Sequence, residues 1–174
     1  VSNSGVHLYR NQKALPRAWF VDSLEVVTEA SKILERLGNP NFDPRKLALV
    51  EQEIPRIQAP DSSYVKQSEY GLQSLKYEVF TNKDAYMVLS EVYYPAGWKA
   101  YLDGNLTQIY PTNYILRGVV IPSGKHTLEM RFMPDSYQKS LVLSLSGLLI
   151  TILAVIGGFL LQYKNKLKHK ENDI

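Results

Sequence analysis

Between Leu141 and Leu161 the chain runs for 21 residues without a charge. As a helix rising about 1.5 Å per residue it measures about 31 Å, and a bilayer's hydrocarbon core is about 30 Å thick. Fourteen of the 21 residues are Leu, Ile, Val or Phe. At roughly −0.3 to −0.6 kcal/mol each near the middle of a span, they favour insertion by about −4 to −8 kcal/mol. Ser144, Ser146, Thr151 and three glycines reduce that sum without reversing it. A core helix of a soluble protein carries one apolar stripe, whereas this run is apolar all round. The expectation is a single C-terminal transmembrane helix.

The rest of the chain has a different character. From Val1 to Lys139 there are sixteen Lys and Arg against fifteen Asp and Glu, so this part is almost neutral. That balance excludes the clustered basic excess of a nucleic-acid binder. The chain has no cysteine, so a disulfide scaffold is excluded. Lys164, Lys166, Lys168 and Lys170 follow the span directly, with His169 among them. Before the span only Arg131 and Lys139 stand close. The positive-inside rule therefore predicts a cytoplasmic C-terminus and an outer position for the preceding residues. The expected division is an extracytoplasmic domain over residues 1–136, a transmembrane helix over 137–163 and a basic tail over 164–174.

Val1 is not an initiator methionine, and no apolar leader follows it. The expectation is the C-terminal piece of a longer protein whose earlier spans translocate the outer domain; a processed N-terminus is the alternative. Ser144, Gly147, Thr151, Ala154 and Gly158 step by three and four and so share one helix side. Small residues let helices approach closely in lipid. The stripe points to packing against other transmembrane helices of the parent protein, and chance is the competing explanation.

The outer part reads as mainly β, a β-sandwich or jelly-roll-like domain with one or two helices. Ala14–Val21 reads as a buried strand. Asp22 then reads as the cap of a helix, with Glu25 three residues on, an apolar face of Leu24, Val27, Ala30, Leu34 and Leu37, and Gly38 as the stop. Leu47–Glu53 reads as a short strand, and 54–63, holding Pro55 and Pro60, as a loop. Leu75, Tyr77 and Val79 alternate with polar residues, and Ala85–Tyr94 is nearly all apolar, as in a central strand. Asp103-Gly104 between Lys99–Leu102 and Leu106–Tyr110 is a hairpin signal. Tyr114–Ile121, a turn at Pro122–Lys125, and His126–Met133 complete the series. Short strands at this spacing argue a sandwich or barrel. About 136 residues bury roughly two-thirds of their unfolded surface, enough for a core without disulfides.

Chemical motifs are sparse. The three histidines, His7, His126 and His169, are far apart, and no metal-ligand spacing is present, so no metal and no cofactor is expected. No nucleophile elbow, P-loop or dinucleotide fingerprint occurs, and no catalytic residue is assigned. Ser123-Gly124-Lys125-His126 reads as a hairpin turn with polar side chains. Asn105-Leu106-Thr107 is a sequon that matters only in a glycosylating host. What remains is an aromatic and polar stretch, Tyr93-Tyr94-Pro95-Ala96-Gly97-Trp98-Lys99-Ala100-Tyr101, followed by Asp103 and Asn105. Aromatic faces stack on sugar rings and adjacent polar groups pair with hydroxyls; the competing reading is that these rings cover the end of a core.

The stretch YYPAGWKAYLDGN, then Asn113, then LRGVVIPSGKHTLEMRFMP and a final span, resembles the C-terminal end of the bacterial YfhO membrane protein family. NQKALPRAWFV and FDPRKLALVE resemble that family's upstream signatures, so the resemblance covers about residues 8–163. The matching positions are Pro95, Gly97, Trp98, Asp103, Gly104, Asn113, Pro122, Gly124, His126 and Pro134, mostly turn formers. The resemblance implies a multi-span protein of the bacterial cytoplasmic membrane, similar to glycosyltransferases that use lipid-linked sugars, with its catalytic acids on an early loop outside this sequence. It implies as partners the lipid bilayer, the parent's other helices, and a cell-envelope glycan or polyprenyl-linked sugar. The expected function is a noncatalytic accessory domain and last span that helps position sugar or acceptor, with Tyr94, Trp98, Tyr101, Asp103 and Asn113 as sugar-binding candidates. A carbohydrate-binding module and a purely structural lid are the alternatives.

Overall fold

The structure, a computed structural model, describes residues 9, 11, 14–54 and 57–172. His7, Pro55 and the side chains of Lys164, Lys166, Lys168, His169 and Lys170 lie outside the described residues. The chain divides into two compact units, one ending at Phe132 and one beginning at Met133.

The first unit is two facing β-sheets. One holds six strands in the order β1 (Ala18–Val21), β6 (Ala85–Val92), β10 (Leu116–Ile121), β9 (Tyr110–Thr112), β3 (Leu47–Val50) and β2 (Ser23–Val26). The other holds β4 (Ser63–Tyr70), β5 (Ser74–Thr81), β11 (Gly124–Phe132), β7 (Trp98–Leu102) and β8 (Asn105–Thr107). All pairings are antiparallel except β2 with β3. Side chains alternate along a strand. Leu75, Tyr77 and Val79 of β5 and Leu128 and Met130 of β11 therefore point inward together. They meet Met87 and Leu89 of β6 and Val119 and Ile121 of β10 in the main core.

The six-stranded sheet is buried on its other face as well. There Trp19, Val21, Tyr86, Val88, Ala48 and Val50 form a second cluster, with Leu15, Ile54 and Ile57 packed against it. Burial on both faces is why Ala85–Leu89 is an unbroken apolar run.

The helix expected from Asp22 starts later. Ser23–Val26 is a strand, and α1 is only Ala30–Leu37. Three successive β-branched residues, Val26, Val27 and Thr28, disfavour helix. Parallel pairing with Leu47–Val50 gives the segment its backbone partners instead, with Ser23 N and Val27 N donating to Lys46 O and Val50 O. Glu25 consequently caps nothing and holds Arg36 of α1 at 2.7 Å. Ile33, not Leu34, is the buried helix residue. Gly38 does end the helix, its N–H bonded to Leu34 O.

Two other connections differ from the sequence reading. Leu106–Tyr110 is not one strand: β8 ends at Thr107, and the chain crosses to the six-stranded sheet before β9 begins at Tyr110. Pro122-Ser123 is not a hairpin turn, because β10 and β11 belong to different sheets. It is an arch that closes the sandwich. The Asp103-Gly104 hairpin is as expected, with both residues at positive φ, 49° and 84°.

The second unit is α2 (Asp135–Asn172). Its stretch Lys139–Leu160 is long and apolar enough to cross a membrane, and none of it is buried. Thr151 Oγ1 donates to Gly147 O at 2.9 Å and Ser146 Oγ to Leu143 O at 2.8 Å. These hydroxyls are satisfied within the helix, which lowers their cost in lipid.

Gly118 of β10 faces the Tyr86 hydroxyl and Thr112 Oγ1, which bond each other at 2.7 Å. A Cβ at Gly118 would overlap both. Gly118→Ala is expected to destabilise the sandwich by about 1–3 kcal/mol, read as a lower midpoint of urea unfolding monitored by tryptophan fluorescence.

Candidate functional site

Where β7 and β8 face β10, the two sheets leave a cavity of about 190 Å³. Tyr93, Tyr94 and Pro95 of the β6–β7 loop form one side. Trp98 and Ala100 of β7, Leu106 and Thr107 of β8, and Arg117 of β10 complete most of the lining. Two further depressions among the described residues, of about 380 Å³ between β2 and α1 and about 610 Å³ between β2 and the segment after β3, have no aromatic lining residue.

The aromatic side of the cavity is built as a stack. Gly97 lets the loop close onto Phe132, since a Cβ there would overlap that ring. Tyr94 stacks on Phe132 with ring centres 6.3 Å apart, and Trp98 tilts against the same ring at 5.4 Å. Such ring pairs stabilise by about 0.5–1.5 kcal/mol beyond their burial. Tyr94 keeps about half its surface open, 52%.

Arg117 stands in phase with Val119 and Ile121 on β10, so it enters the sandwich beside the core. It is 3% exposed. Its guanidinium lies 4.2 Å over the Trp98 ring. Nε donates to Val92 O at 2.8 Å, and Nη1 contacts Met130 Sδ at 3.6 Å. Desolvation lowers its pKa from the usual arginine value, partly offset by the field of Glu91 and then Tyr77. The Tyr77 hydroxyl is buried in the core without a hydrogen-bond partner, and burial pushes its pKa up to about 12.

The five candidates from the sequence separate. Tyr94 and Trp98 line the cavity together, whereas Tyr101, Asp103 and Asn113 do not. Tyr101 lies three positions from Trp98 on β7 and so faces the other side of the sheet, under the Arg131 guanidinium at 5.1 Å. Asp103, in the β7–β8 turn, accepts from Thr127 N at 2.8 Å and pairs with His126 Nδ1 at 2.6 Å. Asn113 is buried at φ 48°, with its N–H donating to Leu49 O at 2.9 Å and its Oδ1 accepting from Leu49 N at 2.8 Å. It clamps the β9–β10 turn onto β3.

Arg117 is the site residue that sequence reasoning missed. A cation in phase with inward-facing Val119 and Ile121 was the available signal. Among the described residues no group of three or more His, Asp or Glu is placed to hold a metal ion.

A family model described as bacterial membrane protein YfhO matches residues 47–144, more than half of the chain. The match takes in β3 to β11 and so every lining residue of the cavity. No curated protein and no solved structure matches the chain.

Asp103 carries a pH dependence. The hydrogen bond from His126, and after it that from the Thr127 N–H, hold its carboxyl below the usual aspartate range. A lowered carboxylate pKa stabilises the fold at pH values above the unfolded pKa, and that contribution fades as pH falls through the folded value. Its side chain is half exposed, so screening limits the effect to about 1 kcal/mol. Asp103→Asn should therefore be less stable than the unmodified chain near neutral pH. The difference should vanish well below about pH 4, where both side chains are neutral; urea midpoints across that range measure it.

Proposed function

The chain belongs to the YfhO family of bacterial membrane proteins, and from that premise we propose that its β-sandwich is the noncatalytic accessory domain of an envelope glycosyltransferase that uses lipid-linked sugars. In this reading residues 1–136 lie outside the cytoplasmic membrane, 137–163 cross it and 164–174 end in the cytoplasm. The basic tail supports that orientation, since four lysines follow the span directly. The domain holds acceptor or donor sugar for an active site carried by other parts of the parent protein.

The observation that carries the sugar-binding part is the cavity itself. It combines an accessible tyrosine face, a proline and a tryptophan edge with a cation. This is the apolar wall and sparse polar anchoring that ring-shaped polar ligands use. An engineered dry cavity of about 150 Å³ takes a benzene ring, so about 190 Å³ holds one sugar ring, with the cleft open beyond it on the Tyr94 side. Tyr94 is the outer platform. Trp98 lines the floor while its ring supports Arg117.

A structural lid is the second reading. It is favoured by how many motif residues make turns or packing contacts: Gly97, Asp103, Gly104, Asn113 and Gly124.

The chain has two tryptophans, and only Trp98 is in the cavity, so its fluorescence reports occupancy. Titration of the full chain in detergent micelles with envelope glycan fragments should give saturable quenching at millimolar concentrations or below. Tyr94→Ala should weaken it about tenfold, equivalent to about 1.4 kcal/mol; losing the stack on Phe132 should also lower the unfolding midpoint, by about 0.5–1.5 kcal/mol, while the chain stays folded under the titration conditions. No saturation by tens of millimolar sugar would leave the lid as the better account.

A further inference from the structure

Arg117 is the one charged residue among the described residues that is fully buried. Arg17 and Arg131 are exposed and Arg36 is half-buried, and each holds a carboxylate at 2.7–2.8 Å. Among the described residues Arg117 has no carboxylate within 4 Å. A guanidinium offers five N–H donors. One is spent on Val92 O and one on a thioether sulfur, a weak acceptor. Three remain at a group that lines the cavity. The lining contains no acidic residue. A buried cation without a carboxylate in contact is expensive; the field of Glu91, which is itself held by Arg17, and stacking on Trp98 offset only part of that.

We infer that the cavity selects a six-membered sugar ring bearing an anionic group, a carboxylate or a phosphoester, with the anion on Arg117 and the ring against Tyr94 and Pro95. The inference rests on the sugar-binding reading above and names the ligand class. The planar fork of the guanidinium matches two oxygens of either anion at once. A neutral sugar in the same place leaves those donors desolvated and unpaired, whereas an anionic sugar supplies the missing counter-charge. Selection therefore comes from Arg117, and ring size comes from the cavity walls.

The test titrates the full chain in uncharged detergent micelles at low ionic strength, using Trp98 fluorescence and ligand-observed NMR. The probes are glucuronate, glucose 6-phosphate, glucose and inorganic phosphate. At least one anionic sugar should bind tenfold or more tighter than glucose, and which of the two does so distinguishes carboxylate from phosphoester. Salt at about 0.5 M should shrink the difference, and Arg117→Gln should abolish it. Arg117→Gln also removes an interior contact, so the unmodified chain's preference among the probes decides the inference by itself. If glucose binds as tightly as both of its acids, the anionic selection is wrong while the sugar site stands. If inorganic phosphate binds as tightly as the anionic sugars, the ring contributes nothing and the sugar reading fails. If no probe binds, both fail.

Discussion

A helix with no polar side has only one comfortable solvent. The stretch Lys139–Leu160 of α2 exposes leucine, isoleucine, valine and phenylalanine in every direction, and nothing within its own unit covers them. In water each exposed Leu or Phe would forfeit about 1.5–3 kcal/mol relative to burial. In hydrocarbon the backbone is already satisfied by the helix, and the hydroxyls of Ser140, Ser146 and Thr151 bond back to it. The membrane placement of the chain follows from this, and family membership agrees with it. Everything proposed about which side the β-sandwich occupies follows in turn from the charges that flank the span.

The sandwich is organised by unequal burial. Its six-stranded sheet is covered on both faces, so β6 can be apolar throughout. Its five-stranded sheet is covered on one, so β5 alternates strictly. Arg117 reaches from the six-stranded sheet to Trp98 and Met130 of the other. It thereby couples the two sheets beside the cavity. The same residue keeps the space from being filled by an aliphatic side chain, and it leaves polar donors at a place where the core would otherwise be dry.

Most of the architecture was legible in the sequence because it follows from periodicity. The alternation in Leu75–Val79, the apolar run at Ala85–Leu89, the Asp103-Gly104 turn and the charge-free C-terminal run each specify an element locally. The helix start was not legible at Asp22. An acidic capping pattern there competes with parallel pairing to Leu47–Val50, a contact across some twenty residues that no local window contains. The two crossings between sheets, after Thr107 and at Pro122-Ser123, were hidden for the same reason: a turn signal does not say which strand comes next to which.

The candidate site was half legible. The aromatic cluster was visible in the sequence, and strand parity divides it, setting Trp98 and Tyr101 on opposite faces of the sheet. Asp103 and Asn113 looked like ligand groups by residue type, but in the structure Oδ1 of each accepts from a backbone N–H and Asp103 Oδ2 pairs with His126. Arg117 went unnoticed because a lone arginine in a strand usually points to solvent; only its phase with Val119 and Ile121 distinguishes it.

The central claim is that α2 crosses the bilayer with its tail inside and the sandwich outside. The chain contains no cysteine, so a single introduced thiol reports without background. Leu72, in the β4–β5 turn, is 99% exposed. In spheroplasts, a membrane-impermeant maleimide should label Leu72→Cys at once and Lys168→Cys only after permeabilisation. Labelling of Lys168→Cys in sealed cells with protection of Leu72→Cys would contradict the account.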